Sequence, residues 1–441
     1  MLRCLRWTVL FALAAVTACG GGGGTSTASS SSSGSSTSSS GSSTSSSGSS
    51  TSSSSGPNFS GGGPNIVSLT VGPGPTPSSS FFNVPYASVT VCIPSSSTCT
   101  TIANVLVDTG SVGLRLMASA LGTLALPAQA DPNATGNVIA ECLPFADGYT
   151  WGIVASADVV IGGEKASAVP INVIDDTGSF SPTVPSSCTS DGTALSSIDS
   201  LGANGVLGVG LFLQDCGSYC AQPASDQIAP FFYYSCNAST CAPASEALNL
   251  QVINPVSLFA TDNNGVILQL PTIAATGATT ATGYLVFGIA TESNNGLGSA
   301  TVLTVSSDSG TFTTVYKGQN LSYGFLDSGS NGLFFPDSSI PDCTGSAEAD
   351  EFYCPTSTLS LSATNQGLNG NTSLVNFQVA NLNDLSSTDF ALDDVGGPAT
   401  PITGLGTSYF DFGLPFFYGH TVYTAIEGLA AGSSTGPYVA Y

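Results

Sequence analysis

Two aspartates in matching segments are the residues whose type and spacing could do chemistry. Asn104–Leu116 aligns without a gap to Tyr323–Phe335, and Asp, Gly, Ser, Gly and Leu fall at the same places in both. In each copy an apolar run ends at a carboxylate, Asp108 or Asp327, and a small turn follows. If the two turns meet, their carboxylates cannot both ionise cheaply, so they share a proton and titrate as a pair. Such a pair can activate a water molecule and protonate a leaving group.

A second pair of segments follows the two copies in the same order, each an apolar run that reaches a glycine. Gly208 lies 100 residues after Asp108, and Gly413 lies 86 residues after Asp327. From Asn65 onward the chain has ordinary globular composition, and about 375 residues are too many for one core. The sequence therefore predicts two duplicated lobes related by an approximate two-fold axis.

Short runs rich in Val, Ile, Thr, Phe and Tyr alternate with Gly, Ser, Asn and Pro turns, which predicts an all-β fold. Sustained helical periodicity is missing from the sequence, and one or two helical turns are expected around Leu116 to Leu121. The clearest predicted strands are Ala87 to Ile93, Asn104 to Val107, Asp158 to Ile161, Val256 to Ala260, Val266 to Leu270 and Leu285 to Phe287.

These motifs resemble the pepsin-like (A1-type) aspartic proteases, which carry Asp-Thr/Ser-Gly-Thr/Ser once in each lobe and an apolar-apolar-Gly segment later. The similarity is scattered but colinear across nearly all of residues 64–441. It implies a bilobal, all-β fold with pseudo-two-fold symmetry and an aspartic endopeptidase that needs no cofactor and no metal. The exported N-terminus suggests a bacterial envelope lipoprotein branch of that fold.

The resemblance also implies roles for particular residues. Asp108 and Asp327 would be catalytic, Thr109 and Ser328 would cross-brace the two turns, and Ser111 and Ser330 would bond the outer carboxylate oxygens. Gly110 and Gly329 would let backbone N–H groups approach the carboxylates. The flap hairpin that covers the substrate would contain Phe145, Asp147, Gly148 and Tyr149.

The chain departs from the family at the flap. A flap Tyr usually bonds a Trp after the first motif, but those places hold Phe145 and Arg115. Tyr149 or Trp151 could serve instead. Arg115 could face the cleft, but a solvated or ion-paired surface position is the more frequent arrangement for such a residue. These departures leave a second reading open, an inactive binding or surface lipoprotein on the same fold.

Other readings have weaker support in the sequence. Asp176-Thr-Gly and Asp308-Ser-Gly also match the short motif, but they lack the apolar strand and read as ordinary turns. A Ser-His-Asp triad would need His420, the one histidine, which we expect to be a packed strand residue. Glycosidases use two carboxylates as well, yet the flanking motifs do not point to them. A coincidental repeat in a β-rich adhesin is the remaining alternative.

The N-terminus predicts export and lipidation. Arg3, Arg6 and an apolar run precede Val16-Thr-Ala-Cys19, which resembles the lipobox of bacterial lipoproteins. Gly20 after the cysteine favours the outer over the inner membrane. The predicted organisation is a signal peptide at 1–18, a lipidated Cys19 with a Gly/Ser tether over 19–62, and β lobes at 63–290 and 291–441.

Charge and cysteine content restrict the possible partners. After residue 18 the chain has 3 basic and 28 acidic residues, a net charge of −25, which repels nucleic acid and anionic lipid. The expected partner is a peptide substrate, the expected membrane contact is the lipid anchor alone, and a monomer is expected. Ten cysteines after Cys19 predict disulfides, with 216/220 and 236/241 as local clips.

Overall fold

The computed structural model describes residues 59–76, 81–180, 182–190, 192–228, 230–344, 351–402 and 406–441. The predicted signal peptide, Cys19 and most of the predicted tether lie outside these ranges. Phe59 falls inside the predicted tether, yet it is buried and its ring packs edge-on against Tyr284. Within the described ranges, no helix combines the length and the apolar character that crossing a membrane requires.

Strands dominate the described chain, which confirms the predicted all-β class. The first part contains β1 (Ile66–Val71), β2 (Pro85–Cys92), β3 (Cys99–Asp108), β4 (Val112–Met117), β5 (Val138–Phe145), β6 (Gly148–Ile161), β7 (Glu164–Ile174), β8 (Thr193–Ala194), β9 (Gly205–Val209), β10 (Tyr233–Cys236), β11 (Cys241–Pro243), β12 (Gly265–Gln269) and β13 (Ala281–Phe287). The second part contains β14 (Val302–Thr304), β15 (Phe312–Tyr316), β16 (Gln319–Leu326), β17 (Leu333–Phe335), β18 (Leu359–Gln366), β19 (Thr372–Val379), β20 (Gly396–Pro398), β21 (Tyr409–Phe412), β22 (Thr421–Ala425), β23 (Ala430–Ala431), β24 (Ser434–Thr435) and β25 (Tyr438–Ala440).

The helices are single turns. They are the α-helical turns α1 (Ala118–Leu121), α2 (Ser186–Thr189), α3 (Ile198–Leu201) and α4 (Leu414–Phe417), and the 3₁₀ turns Ala224–Asp226, Pro255–Leu258 and Leu382–Asp384. The turn α1 lies where a helical turn was predicted. The predicted strand Val256 to Ala260 is wrong. Pro255 has no N–H to donate to a sheet, and the Asn254 side chain accepts a hydrogen bond from the Val256 N–H, so the segment begins as a 3₁₀ turn.

The first lobe is built on a ring of paired strands. β2 pairs with β3, β3 with β9, β9 with β4, β4 with β7, and β7 with β6, which pairs with β2 again. Strand side chains alternate between the two faces of a sheet, so Val89 and Val91 enter the core while Thr90 lies between them at intermediate exposure. This closed ring fixes the end of β3, where Asp108 lies.

A hairpin of β5 and β6 extends from this ring and is itself covered. β10 pairs with the outer edge of β5, and β11 pairs with β10. β8 pairs with the start of β6 through Gly148 and Tyr149. The disulfide between Cys142 and Cys188 ties β5 to α2. The hairpin that the sequence suggested as a flap is thus fastened on several sides.

Six strands in the order β1-β13-β12-β22-β25-β14 continue the first-lobe sheet and link the two parts of the chain. The strands β1, β12 and β13 come from the first part of the chain, and β14, β22 and β25 come from the second. The two parts are joined where β12 pairs with β22. The second lobe is a separate seven-stranded sheet in the order β19-β18-β15-β16-β21-β17-β20. Its core is aromatic, with Phe335 and Phe410 stacked at a centroid distance of 4.8 Å.

Five disulfides cross-link the described part of the chain. They join Cys92 to Cys99, Cys142 to Cys188, Cys216 to Cys220, Cys236 to Cys241 and Cys343 to Cys354. The two local clips that the sequence predicted, 216/220 and 236/241, are confirmed. Four of the five close short loops, whereas the bridge from Cys142 spans 46 residues and restricts more of the unfolded chain.

Candidate active site

Two tight turns, one in each lobe, present the paired aspartates. Asp108 is the last residue of β3, and Asp327 follows β16 directly. In each lobe the strand before the aspartate pairs in parallel with a later strand, β9 or β21. That later strand pairs antiparallel with the strand leaving the turn, β4 or β17. The same crossed arrangement thus occurs twice, and both aspartates are buried, with 1% and 0% of their surface exposed.

The glycine in each apolar-apolar-Gly segment has a steric cause. A Cβ on Gly208 would lie 2.6 Å from the backbone nitrogen of Val112. A Cβ on Gly413 would lie 2.2 Å from the carbonyl oxygen of Gly332. Only a residue without a side chain lets the later strand pass this close to the turn that carries the aspartate.

Thr109 and Ser328 hold the two turns together with reciprocal hydrogen bonds. The Thr109 Oγ1 accepts from the Ser328 N–H at 2.9 Å and donates to the Leu326 carbonyl at 3.2 Å. The Ser328 Oγ accepts from the Thr109 N–H at 3.0 Å and donates to the Val107 carbonyl at 2.8 Å. Each hydroxyl satisfies its donor and its acceptor in the opposite lobe, so the two turns are fixed relative to each other.

Backbone N–H groups point at both carboxylates. The Gly110 N–H donates to Asp108 Oδ1 at 2.7 Å, and the Gly329 N–H donates to Asp327 Oδ1 at 2.8 Å. Gly110 also leaves room for the opposite acid, since a Cβ there would lie 2.5 Å from the Asp327 carboxyl carbon. Two carboxyl groups and the backbone of both turns are therefore packed into one small volume.

The serines of the two turns differ in their contacts. The Ser330 Oγ is 2.9 Å from Asp327 Oδ2. Ser111 lies close enough to Asp108 to lower the pKa of that carboxyl, although its Oγ forms no hydrogen bond of good geometry. The first-lobe turn is thus less tightly bonded around its serine than the second-lobe turn.

Burial and mutual repulsion move the titration of the dyad upward. Burial raises the pKa of Asp108, and the neighbouring Ser111, Asp327 and Gly110 N–H partly offset it. Burial raises the pKa of Asp327 well above its ordinary value, and the charges of Asp108 and Asp411 raise it further. The two acids titrate as a pair, and the pKa of Asp327 is raised the more of the two.

A third acid at this site, Asp411, was missed by the sequence analysis. It lies on β21 with 1% of its surface exposed, and its Oδ2 is 2.6 Å from the Ser330 Oγ. The signal was present in the repeat: when Gly413 is aligned with Gly208, Asp411 falls on Val206. A carboxylate at an apolar position of a buried strand is the feature that should have marked it.

The suggested flap residues lie in and beside the β5–β6 hairpin. Phe145 is buried in the first-lobe cluster that includes Leu106 and Val206. Tyr149 is buried in a neighbouring cluster around Trp151. Asp147 sits at the turn between β5 and β6 at intermediate exposure, and Gly148 pairs with Thr193.

The expectation for Arg115 was wrong, because its side chain is fully buried. Its Nε and Nη2 donate to the two Glu141 carboxylate oxygens at 3.1 and 2.6 Å, and Nη2 also donates to Asp215 at 3.0 Å. Its Nη1 donates to the Val112 carbonyl at 2.6 Å. A buried guanidinium is tolerated because Glu141 and Asp215 surround it with acceptors, although burial and the neighbouring Glu141 raise the pKa of Asp215 well above its ordinary value. The arginine joins β4 to β5, the first strand of the suggested flap.

The residues of the weaker readings lie elsewhere. Asp308 is exposed in a surface turn, and Asp176 accepts hydrogen bonds from the N–H and hydroxyl of Ser119. His420 is exposed just before β22 and its ring stacks on Phe416, so the expectation of a packed strand residue was wrong. In the ranges that the structure covers, no three His, Cys, Asp or Glu side chains are grouped to hold a metal ion.

The family is decided by a match along the whole globular part of the chain. The family model described as "Protein of unknown function (DUF3443)" matches residues 62–441. The chain belongs to this family. No curated protein shows significant similarity to this DUF3443 chain. Among solved structures it is similar to the aspartic proteinase from Irpex lacteus, with 17% identity, 85% of this chain and 96% of that chain covered, and a TM-score of 0.45.

Proposed function

We propose that this DUF3443 protein is an aspartic endopeptidase that hydrolyses peptide bonds with Asp108 and Asp327. The observation that carries the proposal is the pair of buried carboxyls held by cross-braced turns. The four reciprocal hydrogen bonds of Thr109 and Ser328 fix the geometry. The surroundings push the titration of the pair upward, which is the condition under which one member is an acid and the other a base.

In the proposed reaction Asp108 acts as the general base. Its carboxylate takes a proton from a water molecule, and the oxygen of that water bonds to the peptide carbonyl carbon. Asp327 gives its proton to the carbonyl oxygen, so the tetrahedral intermediate carries no net charge. Asp108 then passes its proton to the amide nitrogen as the C–N bond breaks. The hydroxyl proton of the intermediate returns to Asp327, which restores the starting state with one proton on the pair.

The hairpin tip formed by Phe145, Ala146, Asp147 and Gly148 is our candidate for the element that contacts the peptide. The support is its place in the chain and its polar tip, since Asp147 is partly exposed. Both aspartates come from one chain, so a monomer suffices for the proposed reaction. We further propose that Cys19 anchors the enzyme to the outer membrane. Lipid labelling of the full chain against a Cys19→Ala variant tests the anchor.

The test of the function is cleavage of an unfolded protein by residues 20–441, produced under oxidising conditions. Activity should appear between pH 3 and 7, be blocked by pepstatin and be absent in Asp327→Asn. A correctly folded wild-type protein that is inert across this range would overturn the protease proposal. The search would then turn to what the site binds without cleaving it.

A further inference from the structure

The Ser330 hydroxyl lies between two buried carboxyl groups. Its oxygen is 2.9 Å from Asp327 Oδ2 and 2.6 Å from Asp411 Oδ2. A hydroxyl carries one hydrogen and an ionised carboxylate carries none, so Ser330 can donate to only one of these oxygens at a time. The second short contact is a hydrogen bond only if one carboxyl supplies the hydrogen. The geometry therefore requires a proton on Asp327 or Asp411.

The two lobes differ at this position. In the first lobe β9 places Val206 opposite Leu106, and in the second lobe β21 places Asp411 opposite Phe325. Counting from each aspartate, Leu106 and Phe325 are equivalent, so Asp411 replaces an apolar residue of the first lobe. The fold tolerates valine there, which means that the strand pairing itself does not need the acid.

The neighbours of Asp411 include aromatic rings and the acidic turn of the second lobe. Phe325 of β16 and Phe334 of β17 are its strand neighbours, and the turn contributes Ser330 and Asp327. The basic residues after the predicted signal peptide pair elsewhere, namely Arg115 with Glu141 and Asp215, Lys165 with Asp158, and Lys317 with Asp337. Arg115 acts on the dyad from the side of Asp108.

We propose that Asp411 is a positioning residue that, through Ser330, keeps Asp327 protonated to higher pH than the Asp108–Asp327 pair alone would. The inference rests on the proposed function. The site then holds three carboxyls, and the proton that the Ser330 contacts require is the one on Asp327, beside the charge of Asp411. The charge of Asp411 raises the pKa of Asp327, in line with this arrangement. Its consequence is an active acid form that persists toward neutral pH.

The test replaces Asp411 with Asn, which can still accept the Ser330 hydrogen but carries no charge, and with Val, the residue of the first lobe. The measurement is the pH dependence of kcat and KM from pH 3 to 8. We expect the falling limb of kcat/KM to move to lower pH by about one unit in both variants, a size typical of a neighbouring like charge. KM at pH 4 should be unchanged. A falling limb that stays at the wild-type pH in Asp411→Asn would overturn the inference.

A second measurement separates failure of this inference from failure of the proposed function. Asp411→Asn removes a buried proton-binding group. The unfolding free energy of this variant, relative to that of the wild type, should therefore increase as the pH rises from 4 to 8. The matched control is Asp308→Asn, an exposed aspartate in the same Asp-Ser-Gly sequence, which should show no such trend. Parallel stability curves for Asp411→Asn and wild type would overturn the inference even if the enzyme is inactive. If the wild type is inert but the stability curves of Asp411→Asn and wild type diverge with pH, only the proposed protease activity and its pH profile are overturned.

Discussion

Replacing Arg115 by methionine should destabilise the first lobe far more than the loss of any other cation in the described chain. The substitution leaves Glu141 and Asp215 buried without their shared positive charge and removes the Nη1 donor of the Val112 carbonyl. All three side chains of this ion-paired group are almost completely buried, with 0% to 2% exposure. Removing one partner of a buried ion pair costs about 3–5 kcal/mol. That is a large share of the roughly 5–15 kcal/mol that holds a domain folded.

The assay is urea unfolding of residues 20–441 with disulfides intact, followed by tryptophan fluorescence because Trp151 lies near this region of the first lobe. Lys165→Met is the matched control. Lys165 also forms an ion pair, but its side chain is 53% exposed, so its loss should cost about 1 kcal/mol or less. A double variant, Arg115→Met with Glu141→Gln, should recover part of the loss because one uncompensated charge is removed.

The pH dependence of the same variant gives a sharper check. Burial already raises the pKa of Asp215 well above its ordinary value, and removing Arg115, whose charge lowers it, raises it further. The variant therefore binds more protons when folded, and its deficit should be smaller near pH 4 and larger near pH 7. A deficit below about 1 kcal/mol at pH 7, or one independent of pH, would refute the buried-charge reasoning.

Three further predictions concern single features of the molecule. Gly110→Ala should lower kcat at least about 100-fold, because its Cβ would displace the Asp327 carboxyl, whereas Gly296→Ala, with open space around it, should not affect peptide cleavage assays. Burial raises the pKa of Glu246 to about 8, with the charge of Asp131 adding to it, so the folded state keeps a proton that the unfolded state releases near pH 4.5. Stability from this group is lost as the pH rises through that window, and Glu246→Gln should melt above wild type at pH 8 but not at pH 4. Removing the 46-residue bridge by Cys142→Ala and Cys188→Ala should cost about 4 kcal/mol in urea unfolding, against about 2 kcal/mol for the 4-residue Cys216–Cys220 bridge.

The parts of the fold that the sequence could predict are those with a local or repeated pattern. Apolar runs that end in Asp-Thr-Gly-Ser and Asp-Ser-Gly-Ser mark strand-turn units whatever surrounds them, and the spacing to Gly208 and Gly413 repeats. Cysteines four or five residues apart in sequence are necessarily close in space, so the disulfides 216/220 and 236/241 could also be predicted. The turns of Asp108 and Asp327 meet because the chain duplicates one unit, and duplication can be read from a sequence.

The misses involve partners that are distant in sequence. Arg115 is buried because Glu141 and Asp215, 26 and 100 residues away in sequence, both contact its side chain. No local sequence pattern predicts these contacts. Asp411 lies in an apolar strand where its neighbours suggested another core position. Phe59 follows a serine-rich run and is ordered by Tyr284, more than two hundred residues later. The strand β10, which covers the suggested flap, pairs with β5 from a distant part of the sequence, and β11 pairs with β10.

The central claim, that Asp108 and Asp327 act as one catalytic unit, is tested most directly by a cleavage assay on Asp108→Asn, Asp327→Asn and the double variant. Circular dichroism should first show that all three are folded. Residues that act as a unit are not additive, so each single variant should lose as much kcat/KM as the double variant, at least about 1,000-fold. Substantial activity in either single variant, or losses that add in the double variant, would contradict the account.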